Sequence, residues 1–126
     1  MNEVVQEWVD KANADFHTAK RELSVTDQPN FDAVCFHAQQ CIEKLMKAAL
    51  IQKGCQPPKT HDLIQLSDLL AVQDNTWQAD IQDLRFLNQA AVGFRYPGDS
   101  AGYEEAEEAV GICERLRTVL RSTANL

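Results

Sequence analysis

Glycine and proline are scarce in this chain, five and four of its 126 residues. An all-β domain needs a turn about every ten residues, and so few turn formers cannot supply them. Also missing is any apolar run approaching the roughly 20 residues that span a membrane. The opening MNEVVQEWVDK is polar and acidic, with neither the basic start nor the apolar centre of a signal peptide. A soluble, cytoplasmic protein is expected. Cations are outnumbered, 12 Lys and Arg against 19 Asp and Glu, for a net charge of −7. That excess repels phosphate backbones at long range and argues against broad nucleic-acid binding, while leaving room for a local patch that holds one anion.

Chemistry-bearing motifs are thin as well. The four cysteines (Cys35, Cys41, Cys55 and Cys113) form no CxxC pair, and three fall inside apolar helical patterns. They read as small buried hydrophobes in a reducing compartment. His17, His37 and His61 fall on three different helical segments with no HxxxH or ExxH spacing, so no metal is expected. There is no Walker loop, no GxGxxG and no GxSxG, and no cofactor is assigned.

What the sequence does have is helical periodicity. Over residues 2–24, Val4, Val5, Trp8, Ala12, Phe16, Ala19 and Leu23 recur at steps of three or four, one apolar stripe along a helix. Pro29 interrupts the next stretch, and Asn30 is placed to cap a second helix carrying Phe31, Val34, Cys35, Ala38, Ile42, Leu45, Met46 and Ala49. Gly54 suits a left-handed end to that helix. After Pro57 and Pro58, Thr60 is a fair cap for a short helix holding Leu63, Ile64, Leu66, Leu69 and Leu70. Asn75 with Gln78 resembles a capping box before a fourth helix with Trp77, Ile81, Leu84, Leu87, Ala91 and Val92. A final helix over residues 103–121 has glutamates in its first turns and arginines in its last, in register with the helix dipole. The expected fold is all-α: one domain, residues 1–126, an up-and-down antiparallel bundle of four long helices and one short one.

Three polar features break the pattern. On the second helix, His37, Gln40, Lys44 and Lys47 share a face turned away from the apolar stripe. They form a solvated face with a surface Glu43–Lys47 ion pair, or a polar interface between two copies, or one wall of an anion site. In the loop before the third helix, His61 and Asp62 stand where free backbone N–H groups and an imidazole can meet a ligand, or simply cap the helix. At the end of the fourth, Phe94-Arg95-Tyr96-Pro97-Gly98 sets a guanidinium beside a phenol. Arg95 there is a donor fork for phosphate, a cap for helix carbonyls, or a partner for Glu104 or Glu105.

These features also carry a family resemblance. The stretch Asn30-Phe31-Asp32-Ala33-Val34-Cys35-Phe36-His37-Ala38-Gln39-Gln40-Cys41-Ile42-Glu43-Lys44-Leu45-Met46-Lys47-Ala48 resembles the second-helix pattern of the HEPN domain (higher eukaryotes and prokaryotes nucleotide-binding). Thr60-His61-Asp62-Leu63 is similar to its THDL loop, and Arg95-Tyr96-Pro97 to its RYP corner. The resemblance implies a helical bundle that commonly forms a two-fold homodimer. It implies company with minimal nucleotidyltransferases, a proposed nucleotide ligand, and kinship with toxin ribonucleases. Those ribonucleases resemble one another in an Arg followed four to six residues later by His, and no arginine here has that spacing. No catalytic residue is therefore assigned. The expectation is a non-catalytic module binding a nucleotide or a nucleotidyltransferase partner near His61, Asp62, Arg95, Tyr96, Lys44 and Lys47, with His37 and Gln40 on a dimer or cleft face. The alternatives are a toxin of a toxin–antitoxin pair with an atypical Arg95–His61 set, and a ligand-free helical adaptor.

Overall fold

Helices begin in this chain where a short polar side chain can take up a free backbone N–H. In the computed structural model, which describes residues 1–93 and 97–126, Asn2 Oδ1 accepts from Val5 N at 2.8 Å and opens α1 (Glu3–Leu23). Asn30 Oδ1 accepts from Ala33 N at 3.0 Å and opens α2 (Phe31–Gln52), as its position in the sequence suggests. Asp62 opens α3 (Leu63–Gln73) by accepting from Ile64 N at 2.9 Å. Thr60, expected in that role, stands one step back and accepts from Asp62 N at 3.1 Å.

Asp80 opens α4 (Ile81–Val92) through Gln82 N at 2.8 Å. The capping box expected at Asn75 and Gln78 does not form. Asp74 instead takes both the N–H and the hydroxyl of Thr76, at 2.9 and 2.6 Å, which holds that stretch in a turn and delays the helix. Trp77 therefore precedes α4; its ring is buried and its indole N–H reaches Ser67 Oγ at 2.9 Å. The last helix, α5 (Tyr103–Thr123), lacks a side-chain cap but has Glu104 and Glu105 in its first turn.

The described residues contain no strand, and no described helix is long and apolar enough to cross a membrane. The fold is an all-α helical bundle built around α2, which packs against α1, α3, α4 and α5. Burial runs around α2 rather than along one stripe: Val34, Cys35, Ala38, Cys41, Ile42, Leu45, Met46, Ala48, Ala49 and Leu50 are all removed from water. On α1 the buried line is Val5, Val9, Ala12, Phe16 and Ala19, while Val4, expected inward, is exposed. Small residues on both outer long helices (Ala12 and Ala19, Ala106 and Ala109) let them lie close to the core.

Two details set the ends of α2. At its C-terminus Gly54 adopts φ +80°, and the N–H groups of Gly54 and Cys55 return to the carbonyls of Ile51 and Leu50, both at 2.9 Å. This Schellman closure turns the chain toward the His61 loop. At its N-terminus, Asp32 accepts from Ala101 N at 2.7 Å and Phe31 meets Tyr103 edge-on at 5.8 Å, which fixes the start of α5 against the start of α2.

Candidate functional site

A carboxylate in the middle of α2 organises the polar interior. Glu43 is buried, and its Oε2 accepts from Lys47 Nζ at 3.1 Å, one helical turn on. Its Oε1 meets His61 Nδ1 at 3.0 Å and lies 3.3 Å from the amide nitrogens of both Gln39 and Gln40. The Glu43–Lys47 pair expected on a solvated face thus lies in the interior, because α1 covers that side of α2. Lys47 also sits 5.7 Å above the Trp8 ring.

Gln39 ties the loop to the helix by donating to the His61 carbonyl at 2.9 Å. Asn88 of α4 ties in the third element: its Oδ1 accepts from Leu63 N at 3.0 Å and its Nδ2 donates to Asp62 Oδ1 at 2.8 Å. Between these three elements lies an open cleft of about 410 Å³, lined by Phe36, Gln39, Gln40, His61, Asn88, Ala91 and Val92. Phe36 and Val92 are exposed at 39% and 50%, which makes the cleft's apolar wall available to a ligand.

His37 and Lys44 face another way. Both converge on Asp15 of α1, His37 Nδ1 at 2.7 Å from one carboxylate oxygen and Lys44 Nζ at 2.5 Å from the other. Among the sequence-selected residues, the structure therefore brings Gln40, His61 and Asp62 to the cleft and its edge. His37 and Lys44 belong to a second cluster on α1, and Lys47 lies beneath Glu43. Arg95 and Tyr96 lie outside the described residues.

Sequence reasoning missed Asp15, Asn88 and the role of Glu43. Asp15 had a visible signal, since it falls on the buried line of α1 between Ala12 and Phe16, where an unpaired carboxylate is costly. Asn88 had none, because only the folded chain brings it to Asp62. A second depression of about 290 Å³, lined by Phe86, Gln89, Ala90, Gly93 and Glu105, lies between α4 and α5 and offers fewer convergent polar groups among the described residues.

The two motif segments that meet at the cleft lie within the reach of one family model, described as the HEPN domain, which matches residues 5–123. The chain belongs to the HEPN family. An archaeal HEPN homologue shares its fold at 18% identity, with a TM-score of 0.72 and 98% of this chain aligned to 99% of that one. A protein from Thermus thermophilus is similar at 22% identity, with a TM-score of 0.77 and coverage of 97% and 98%. At these identities the likeness shows the fold alone. No curated protein matches the chain. In this HEPN domain, the QQ–EK stretch of α2 and the THDL loop are joined through Glu43, so the two motifs build one structural unit.

Proposed function

We propose that this HEPN domain is a non-catalytic binding module whose cleft between α2, the His61 loop and α4 takes a nucleotide, and which works beside a nucleotidyltransferase. The observation that carries the reading is the cleft itself. Three segments far apart in sequence converge there, a buried carboxylate network holds the polar groups in place, and the aromatic Phe36 forms an exposed wall. Concave, partly apolar sites with a few oriented polar groups are where small ligands bind. The amide and imidazole groups suit a base edge, and Phe36 suits its face.

The lysines of α2 are poor phosphate holders here, since Lys44 is engaged by Asp15 and Lys47 by Glu43. In this reading the anion falls to Arg95, whose family motif lies just beyond Val92 in the sequence. A nucleoside triphosphate raises the melting temperature by mass action, and Arg95→Ala removes most of that shift with the helical spectrum intact. No shift with any nucleotide overturns the reading in favour of the ligand-free adaptor. The same proposal includes a two-fold homodimer, giving twice the single-chain mass in light scattering.

One observation favours the ribonuclease alternative: His61 is exposed and oriented by a carboxylate, as a proton acceptor would be. RNA cleavage also needs an acid for the leaving oxygen and a cation on the phosphate. Among the described residues lining the cleft there is neither. The proposal therefore predicts intact single-stranded and transfer RNA after hours with micromolar protein. Cleavage lost in both His61→Ala and Arg95→Ala would establish the ribonuclease instead.

A further inference from the structure

Every hydrogen bond around the cleft has its direction fixed by a partner that can play only one part. The Glu43 carboxylate, paired with the Lys47 ammonium, only accepts. His61 Nδ1 must therefore carry the hydrogen in their 3.0 Å contact, so in the uncharged form of the ring Nε2 is the acceptor. The His61 carbonyl also only accepts, so the Gln39 amide nitrogen faces it and Gln39 Oε1 is left to take Gln40 Nε2 at 2.9 Å. Gln40 gives its N–H groups to Gln39 and Glu43, so what it can offer a ligand is its carbonyl oxygen. The Leu63 N–H only donates, which puts Asn88 Oδ1 there; one hydrogen of Asn88 Nδ2 goes to Asp62 and the other has no partner among the described residues.

The polar valences left over are two acceptors (His61 Nε2 and Gln40 Oε1) and one donor (Asn88 Nδ2), beside the apolar wall of Phe36, Ala91 and Val92. We infer that this cleft takes the base of the nucleotide and selects bases that bear an exocyclic amino group. The inference rests on the nucleotide-binding reading above and assigns the base to this site. A phosphate brings only acceptors and would meet these two, with no cation free among the described residues that line the cleft. An amino-bearing base brings the N–H donors the cleft lacks together with a ring acceptor for Asn88. Guanine, with two donors and one acceptor along one edge, matches the inventory by count. Uracil presents a single N–H between two carbonyls and leaves one cleft acceptor unmet, at a cost of about tenfold in affinity.

The test is calorimetric titration of the full chain with guanosine, adenosine, uridine, guanosine triphosphate and inorganic tripolyphosphate. Expected are binding of guanosine and adenosine, about tenfold weaker uridine, and tripolyphosphate that leaves the affinity for guanosine unchanged. His61→Phe, at a side chain 86% exposed, keeps a flat ring without the acceptor and should erase the preference over uridine while the circular dichroism stays unchanged. Triphosphates of all bases binding alike, with tripolyphosphate competing, would overturn the base assignment and leave the nucleotide-binding reading standing. A preference unchanged in His61→Phe would overturn it too, by placing the base elsewhere. No binding of any of the five would remove both.

Discussion

Glu43 Oε1 lies 3.0 Å from His61 Nδ1 and joins a side chain that is 5% exposed to one that is 86% exposed. Through that contact the interior of α2 sets the orientation of a ring in open solvent. The ring is held from below rather than by packing, so the polar unit beneath it governs both stability and the chemistry His61 can present.

That unit is costly to break from one side. Glu43→Gln leaves the Lys47 ammonium, whose side chain is 10% exposed, without its counter-charge. The expected loss is about 3 kcal/mol in urea unfolding, the lower end for a broken buried pair because Lys47 retains some solvent. Adding Lys47→Met removes the orphaned charge and should recover most of that loss. A double variant as unstable as the single one would show that the pair is not what holds this region.

Asp15 carries a comparable but smaller burden. It is the shared partner of His37 and Lys44, which are 30% and 22% exposed, so solvent screens both contacts in part. Asp15→Asn should cost about 1–2 kcal/mol in chemical denaturation. Removing the exposed Lys20–Glu114 pair by Glu114→Gln should change stability by less than about 0.5 kcal/mol. Equal effects at the two positions would contradict the structural role given to Asp15.

The buried thiols give a pH prediction. Burial, with the negative charges of Asp32 and Glu105, pushes the Cys35 thiol from 9.0 up to about 11. Cys113 is also raised, by its hydrogen bond to Cys41 and by burial. Above pH 9 the unfolded chain releases these protons before the folded one does. The Cys35 contribution to stability is then whole below pH 9 and falls as pH rises through about 11. Iodoacetamide at pH 8 should modify half-buried Cys55 in the native protein and reach Cys35, Cys41 and Cys113 only after denaturation. Native labelling of Cys35 as fast as Cys55 would contradict the packing of α2.

Much of this was legible from local rules. Asn30 and Gly54 mark the ends of α2 because capping depends on one side chain and one φ angle. The apolar spacing of α1 and α5 shows because each of these helices buries a line of side chains. The start of α4 was misplaced because two neighbouring turn formers compete for it, and Asp74 outcompetes Asn75 by bonding Thr76 twice. His37, Gln40, Lys44 and Lys47 share a helix face in the sequence. They divide between two carboxylates in the fold, since Asp15 comes from α1 and Glu43 from α2 itself. Long-range partners of this kind leave no spacing to read.

The central claim is that the cleft between α2, the His61 loop and α4 is where the ligand sits. Its most direct test is a nitrogen-15 and carbon-13 NMR titration of the full chain with guanosine triphosphate. The account predicts saturable shifts concentrated at the Phe36 ring, the Gln40 and Asn88 side-chain amides, the His61 imidazole and the Val92 methyls, with the Asp15 cluster unmoved. Shifts centred on Glu7, Trp8 and Lys11 at the outer face of α1, or an unperturbed His61 at saturation, would contradict it.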